Sequence, residues 1–287
     1  MRYHHVDVFT GQAYSGNSLT VFPTAGGLTA SQMAQVTREL RHFESIFLQP
    51  GGQDGRTWQA RVFDLLEELD FAGHPVIGAA CVLHALHGTA PDEEWTLRLR
   101  TRTVRVATHR HSRGRYSSVL DQGSALFLSR PEVPDVASWF SLRPEHLDPD
   151  LRPEVVSTGL RYLVVPVRHG ALERARVAFD LQAFLAPLGA QFAYMLDATA
   201  IEGRHWNNDG IAEDVATGSA AGCVAAYLRR NGRIGDGEQV TLRQGGFAGR
   251  PSEMAITAHG TGTDIPSVEV GGDVAFVGDG RLEVLPQ

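Results

Sequence analysis

An acidic residue in an apolar setting is the first candidate for chemistry in this sequence. Residues 43–48 are typical of a strand with apolar side chains on both faces, except for Glu44. A carboxyl group in such a setting costs free energy unless it is paired, hydrogen-bonded or protonated. Glu44 is therefore either a group that moves protons or a residue on the wet face of an edge strand, and its own strand does not decide between them.

Two predicted helix starts have the properties of anion-binding sites. Gly73 and His74 open one apolar helix, and Gly218 and Ser219 open another. The first turn of a helix has free N–H groups and a partial positive charge, which suit a carboxylate or a developing oxyanion. If the two halves of the chain face each other, both helix starts meet at one cleft. Such a cleft suits proton abstraction beside the carboxylate of a small acid.

Three side chains near these helix starts have more than one interpretation. His74 is either a proton carrier or a helix-start histidine satisfied by the backbone. Asp214 is either an acid of the N-cap type or a second acid–base group. Ser219 does not lie in a G-x-S-x-G nucleophile elbow, so we interpret it as a ligand-binding hydroxyl or a cap.

Several classes of site are excluded by residue types. All 26 basic residues are arginine, so the chain has no lysine for a Schiff base, a P-loop or a kinase-type site. No glycine-rich stretch fits the dinucleotide-binding fingerprint. The two cysteines, Cys81 and Cys223, cannot form a disulfide framework, and without a nearby histidine cluster they make a poor zinc site. The residue types therefore argue against a lysine-bound cofactor and a dinucleotide, and we expect no metal.

Hydrophobic patterns predict the elements that position these residues. Short strands are predicted at 6–8, 18–22, 43–48 and 58–63, and a helix is predicted after Thr29 as its N-cap. Residues 76–86 and 220–228 are apolar nearly all round, which predicts two buried helices. Each follows acidic residues and a small glycine-containing turn. This echo predicts two related domains, each with strands around one helix.

Two further stretches carry local predictions. Residues 97–102 alternate strictly between apolar and polar, which is typical of an edge strand with one wet face. Residues 131–153 contain five prolines and several acids, which predicts an inter-domain or connecting region.

Length and charge limit the wider possibilities. A chain of 287 residues predicts two domains or one large one. A net charge of −7 makes a general nucleic-acid partner unfavourable. The sequence has neither an apolar run long enough for a membrane helix nor a signal-peptide core, so we expect a cytoplasmic protein without a membrane partner.

Five sequence blocks, in order and spread over nearly the whole chain, resemble those of the PhzF-like phenazine-biosynthesis family. This family lies within the diaminopimelate-epimerase-like superfamily. The blocks are Asp7-Val8-Phe9 with Gly16-Asn17-Ser18-Leu19, Phe43-Glu44-Ser45-Ile46-Phe47, Arg61-Val62-Phe63 with Glu68-Leu69-Asp70-Phe71-Ala72-Gly73-His74-Pro75, Glu213-Asp214-Val215-Ala216-Thr217-Gly218-Ser219-Ala220, and Arg243-Gln244-Gly245 with Gly249-Arg250-Pro251-Ser252.

The resemblance implies an α/β fold of two pseudo-symmetric epimerase-like domains, each a curved, mostly antiparallel sheet or barrel around a central helix. We expect them at 1–115, joined by a strand from about 275–287, and at 116–274. It also implies an active site in the cleft between the domains, catalysis without a cofactor, and a homodimer. The family's founding activity is isomerisation of trans-2,3-dihydro-3-hydroxyanthranilate, in which a glutamate moves a proton between ring carbons.

The resemblance also assigns roles to residues. It implies that Glu44 is the catalytic glutamate, with His74 and Asp214 as the other catalytic residues. The implied substrate-binding residues for a small acid are Gly73, Gly218, Ser219, Asn17 and Ser45. Glu44 would shuttle one proton between two carbons on one face of a bound cyclic acid.

Two alternatives stay open. The first is an amino-acid epimerase or racemase that uses two opposed thiols, although Cys81 and Cys223 lie inside the predicted helices rather than at their starts. The second is a homologue that binds a metabolite without turnover. It is suggested by Phe43, which replaces the serine that usually precedes the catalytic glutamate in the family.

Overall fold

The chain folds into two compact units. The computed structural model describes the backbone of residues 1–287 and every side chain except that of Arg113. Unit 1 contains Met1–Asp121 and Gly271–Gln287, and unit 2 contains Gln122–Val270. Within the part of the chain so described, no helix combines the length and apolar character needed to cross a membrane.

Unit 1 is built from strands that close around one helix. Its elements are β1 (Arg2–Val8), β2 (Asn17–Phe22), α1 (Ala30–Leu40), β3 (Glu44–Pro50), β4 (Thr57–Asp64), β5 (Glu68–Leu69), α2 (Gly73–His87), β6 (Asp92–Arg98), β7 (Thr103–Arg110) and β8 (Tyr116–Asp121). Strand pairs β2–β3 and β4–β6 are parallel, whereas β1–β2, β3–β4, β4–β5, β6–β7 and β7–β8 are antiparallel. The final strand of the chain pairs with both β1 and β8, which closes the sheet.

Helix α2 is the centre of unit 1. It packs against six of the surrounding strands, and every residue from position 73 to position 84 is buried. A helix with apolar side chains on all sides is stable only where neighbouring elements cover all sides. Gly78 allows this close approach, because a Cβ atom there would lie 2.6 Å from Leu19 Cδ2 and 2.9 Å from Val8 Cγ2.

Helix α1 lies on the other face of the same sheet, against β3 and β4. Its start is fixed by a capping box in which Thr29 accepts from the Gln32 N–H and the Gln32 side chain accepts from the Thr29 N–H. The predicted N-cap at Thr29 is confirmed. Met33 and Val36 of the helix pack with Phe22 and Phe47 of the sheet in one cluster.

Unit 2 repeats the arrangement with a second set of strands. Its elements are β9 (Leu126–Ser129), α3 (Val136–Trp139), β10 (Glu154–Ser157), β11 (Arg161–Val167), α4 (Gln182–Leu185), β12 (Phe192–Asp197), β13 (Glu202–Trp206), β14 (Glu213–Asp214), α5 (Gly218–Arg230), β15 (Val240–Gln244), β16 (Ser252–Thr261) and the long β17 (Asp264–Arg281), whose later part belongs to unit 1. Only β11–β12 and the short β13–β15 contact are parallel among the pairs within unit 2 that are described by register.

Helix α5 is the central helix of unit 2. It packs against β10, β11 and β16, and ten of its residues are buried. Gly222 has the role that Gly78 has in α2, because a Cβ atom there would lie 2.8 Å from Thr158 Oγ1. Both units therefore have the predicted architecture, a curved and mostly antiparallel sheet around one apolar helix.

The predicted edge strand at 97–102 is wrong. β6 ends at Arg98, the Leu99 N–H donates to the Arg102 carbonyl in a turn, and β7 begins at Thr103. β6 is also not an edge, since β4 and β7 pair with its two sides. The alternation continues through the turn because Leu99 is buried there, and alternation alone does not distinguish a strand from a hairpin turn.

Of the two interpretations of residues 131–153, the inter-domain one is wrong, because the whole segment lies within unit 2, where it connects β9 to β10. Val136, Trp139 and Phe140 belong to a core cluster of unit 2 together with side chains of β10 to β13. The prolines in this segment separate short helical turns that pack on the sheet. They do not mark an inter-domain linker.

Candidate active site

The side chains of Glu44 and His74 meet at the start of helix α2. Glu44 is the first residue of β3, and His74 is the second residue of α2. Glu44 Oε2 lies 2.7 Å from His74 Nε2. The His74 side chain is 7% exposed and that of Glu44 is 19% exposed. A carboxylate and an imidazole at this distance are close enough for a proton to pass between them, and the exposed fraction of Glu44 gives a ligand access to its side chain.

The start of helix α2 has no side-chain cap. Its N-cap is Ala72, which provides no side-chain hydrogen bond, and the first turn contains no acidic residue. The N–H groups after Gly73 therefore have no capping partner from the N-cap side chain. A negatively charged group bound there would gain from the helix dipole as well as from these donors.

The other two unit 1 residues that the resemblance assigned to substrate binding are buried. Asn17 is the first residue of β2 and is 3% exposed. Ser45 is fully buried, and its hydroxyl lies 2.7 Å from that of Thr20. Since adjacent residues of a strand face opposite ways, Ser45 faces away from the side on which Glu44 lies. The Ser45 hydroxyl thus supports the β2–β3 contact.

Asp214 organises the turn that leads into helix α5. Its Oδ1 accepts from the Ala216 N–H at 3.2 Å, and its Oδ2 accepts from the Thr217 hydroxyl at 2.6 Å. Gln244 of β15 donates to the Asp214 carbonyl at 2.8 Å and to the Thr217 hydroxyl at 2.9 Å. The Asp214 carboxylate is therefore held in place by its own turn, and a carboxylate has further lone pairs for a ligand.

Gly218 and Ser219 open α5 in the way that Gly73 and His74 open α2. The N-cap is Thr217, whose side chain makes no cap hydrogen bond to the helix. The Gly218 carbonyl accepts from Gln122 Nε2 at 2.9 Å, and the Ser219 hydroxyl lies 2.8 Å from the Tyr162 hydroxyl. Tyr162 was not predicted as a site residue, and no pattern around it in the sequence pointed to Ser219.

His205 is a second residue that sequence reasoning missed. It lies opposite Asp214 in the β13–β14 pair and is 5% exposed. Its Nδ1 lies 2.9 Å from the Ala193 carbonyl. Burial lowers the pKa of His205, although the nearby Asp214 carboxylate opposes this effect.

Each unit contains one ion pair between an arginine and a glutamate, and we call these two ion pairs the Arg–Glu clamps. Arg61 donates to both carboxylate oxygens of Glu68 at 2.8 and 2.7 Å, and Arg204 donates to both of Glu213 at 2.8 and 2.6 Å. Each arginine also lies over an aromatic ring two residues later. Each glutamate precedes the first residue of its central helix by five positions. The clamps therefore fix the short hairpins that deliver the chain to the two helix starts.

Among the described residues, no group of three or more His, Cys, Asp or Glu side chains is arranged to hold a metal ion.

Comparison with known proteins decides the family. A profile of the PhzC-PhzF family, described as phenazine biosynthesis-like protein, matches residues 6–280. The chain belongs to this PhzF family. The trans-2,3-dihydro-3-hydroxyanthranilate isomerase of Pseudomonas aeruginosa is 31% identical to it, over 98% of each chain. This PhzF-family chain is an enzyme of the same class, an isomerase.

Solved structures agree with this assignment. A predicted epimerase from Pseudomonas aeruginosa is 46% identical, with a TM-score of 0.91 and 99% of each chain covered. A PhzF-family protein from Bacillus anthracis is 18% identical, with a TM-score of 0.86 and 99% of each chain covered. The second likeness concerns the fold alone, and it shows how far PhzF sequences diverge while the fold is kept.

The two thiols of this PhzF protein are poorly placed for catalysis. Cys81 and Cys223 are fully buried within α2 and α5. Burial raises the pKa of each thiol to about 12, so almost none is thiolate at neutral pH. Cys223 also donates its S–H to the Val156 carbonyl at 3.3 Å. This geometry disfavours an epimerase mechanism with two opposed thiolates.

Proposed function

We propose that this chain is a cofactor-independent isomerase that moves a proton between carbons of a small cyclic carboxylic or amino acid. Glu44 is the general acid–base group in this proposal. The observation that carries it is the 2.7 Å contact between Glu44 and His74 beside the uncapped start of α2, with part of the carboxylate exposed. A proton-transfer group and a set of oxyanion donors thus belong to one short region of unit 1.

The reaction needs no co-reactant in this scheme. The Glu44 carboxylate removes a proton from a ring carbon, and the electron pair moves through the ring toward the substrate carboxylate. Backbone N–H groups at a helix start stabilise the oxyanion that develops there. The Glu44 carboxyl group then returns the proton to a second carbon, so that one C–H bond is broken and another is formed. His74 orients Glu44 through their contact.

Asp214 and Ser219 complete the site in the proposal, as the family resemblance implies. Asp214 accepts a hydrogen bond from the substrate or assists a second proton transfer. Ser219 and the N–H groups of α5 bind the polar substituents. The anchoring of the Asp214 carboxylate by Ala216 and Thr217 supports a fixed role of this kind.

The residue types support catalysis without pyridoxal phosphate. The chain contains no lysine to form the required Schiff base, and a carboxylate beside oxyanion donors performs proton transfer unaided. For the substrate, we propose trans-2,3-dihydro-3-hydroxyanthranilate or a close analogue, because this is the substrate in the name of the 31% identical isomerase.

Proton NMR in D₂O tests the proposal. We expect the wild-type protein to rearrange 2,3-dihydro-3-hydroxyanthranilate and to introduce solvent deuterium at carbon. The variant Glu44→Gln keeps the shape of the side chain but cannot accept the proton, so turnover should fall by roughly 100-fold or more. Glu39→Gln is the matched control, because Glu39 is an exposed residue of α1 in the same unit.

The outcomes separate the alternatives. Wild-type activity in a folded Glu44→Gln variant would refute the role of Glu44. Deuterium uptake at the α-carbon of an amino acid, lost when Cys81 and Cys223 are both changed to Ala, would support the thiol epimerase instead. Tight binding of a metabolite that is never converted would support a homologue without turnover.

A further inference from the structure

His205 carries an acceptor atom that no described residue uses. The Ala193 carbonyl can only accept a hydrogen bond, so the 2.9 Å contact places the proton on Nδ1. An uncharged imidazole with its proton on Nδ1 has a bare lone pair on Nε2. Among the described residues, no group hydrogen bonds to His205 Nε2. His205 is only 5% exposed.

The surroundings of His205 keep the ring uncharged and fixed. The rings of Tyr162 and Phe192 meet it edge-on, with centroids at 5.6 and 5.8 Å, and the ring of Tyr194 is nearly parallel to it at 6.4 Å. Burial among these rings lowers the pKa of His205. A neutral acceptor without a donor from the protein takes its hydrogen bond from water or from a ligand.

The position of His205 connects it to the proposed site. His205 and Asp214 are direct partners in the antiparallel β13–β14 pair, so both side chains lie on one face of the sheet. Tyr162, which contacts the His205 ring, also hydrogen bonds to Ser219 at the start of α5. His205 Nε2 and the Asp214 carboxylate are therefore two neighbouring acceptors at the side of α5 where Ser219 lies.

The hairpin itself does not require this polar pair. In unit 1 the β4–β5 hairpin has the same register relative to its clamp, and the equivalent cross-strand pair is Val62 and Leu69. A hairpin of the same register therefore forms in the same chain with an apolar pair at this position. Because Asp214 is held by its own turn, the imidazole of His205 is the polar group that the hairpin itself does not require.

We infer that His205 is a specificity-determining residue that accepts a hydrogen bond from an N–H or O–H donor of the substrate, next to Asp214. The inference rests on the proposed function, because it takes the start of α5 as part of the substrate site. In this role His205 favours acids that carry an amino or hydroxyl group near the carboxylate over acids that lack one.

Two simple acids test the inference without turnover. Anthranilate and benzoate differ only by an amino group, and their dissociation constants can be measured by titration calorimetry or NMR. We expect the wild type to favour anthranilate. His205→Phe keeps a ring but removes the acceptor, so the preference should fall roughly 3- to 10-fold, the value of one hydrogen bond. His205→Gln, which restores an acceptor oxygen, should recover part of it.

The control is another histidine that contacts a carboxylate in unit 2. His169 Nδ1 lies 3.0 Å from Asp197 Oδ2, but its side chain is 73% exposed. His169→Phe should leave the preference unchanged. Circular dichroism and the urea midpoint of each variant show whether it is folded. If His205→Phe does not fold, the comparison of His205→Gln with wild type still tests the inference.

Nitrogen NMR of histidine-labelled protein gives a second measurement. We expect His205 to be the uncharged Nδ1–H tautomer at neutral pH, and its Nε2 signal to shift with anthranilate and not with benzoate. A charged His205 ring or an Nε2–H tautomer would overturn the inference. Equal affinity of the wild type for the two acids, or no binding of either, would also overturn it. Failure of the proposed function is a different result, namely no rearrangement of 2,3-dihydro-3-hydroxyanthranilate by the wild type.

Discussion

The two Arg–Glu clamps differ in burial, and this difference predicts a large contrast in stability. The Arg204 side chain is 2% exposed and that of Glu213 is 14% exposed, whereas the values for Arg61 and Glu68 are 36% and 16%. Arg204 also donates to two backbone carbonyls, those of Leu172 and Ala175, at 2.7 and 3.0 Å. Replacement of Arg204 thus affects several buried partners.

The magnitude follows from what each change leaves behind. Arg204→Met fills similar volume but leaves the Glu213 carboxylate and two carbonyls without this donor. Removal of one partner of a buried ion pair costs about 3–5 kcal/mol. Arg61→Met removes a partner that is more than one-third exposed, so solvent screens the loss and the cost should be about 1 kcal/mol or less.

Thermal and urea unfolding measure the contrast. For a domain of this size, the expected loss in Tm is roughly 6 to 20 °C for Arg204→Met and at most about 4 °C for Arg61→Met. Each unit contains two tryptophans, Trp58 and Trp95 in unit 1 and Trp139 and Trp206 in unit 2, so fluorescence follows both units. Equal and small losses in the two variants would refute the argument that burial sets the strength of these clamps.

Two other predictions follow from pKa values. Because burial raises the pKa of Cys81 and Cys223 to about 12, a thiol reagent should modify neither in the native protein and both after denaturation, and the double change to Ala should keep turnover. Although burial acts against it, hydrogen bonds from Arg56 and two backbone N–H groups hold the pKa of Glu93 at about 2, below its usual 4.5. Its stabilising effect is therefore complete above about pH 4.5 and is lost as the pH falls toward 2. Urea unfolding of Glu93→Gln should show a shallower loss of stability over this range than wild type, with the exposed Glu94→Gln as control.

The predictable part of the fold is the part that composition dictates locally. Helices α2 and α5 are apolar over most of their length, and such a helix must be covered on all sides, so strands around each of two helices follow. The N-cap at Thr29 was likewise predictable, because a cap residue directly precedes the helix that it starts. Glu44 was found because its strand is otherwise apolar.

The unpredictable part depends on contacts between residues far apart in the sequence. Glu44 and His74 are separated by 30 positions, and neither pattern shows that their side chains meet. The partnership of His205 with Asp214 requires the register of β13 and β14, and a shift of one residue would place His205 on the opposite face. The alternation at 97–102 was misinterpreted for a related reason, since a turn that buries one leucine has the same local pattern as a strand.

The repeated hairpins suggest how one scaffold carries different chemistry in its two halves. In each unit, the Arg–Glu clamp and an aromatic ring lie on one face of the hairpin. The cross-strand pair next to the clamp lies on the opposite face. That pair is apolar in unit 1 and consists of His205 and Asp214 in unit 2. Likewise, the residue after the first glycine of the central helix is His74 in one unit and Ser219 in the other. Because the clamp fixes the backbone from one face, the residues on the other face are free to differ. The two hairpins therefore keep the same clamp while the pair on the opposite face differs, Val62 with Leu69 in unit 1 and His205 with Asp214 in unit 2. Changes to a clamp should affect stability before they affect the choice of substrate.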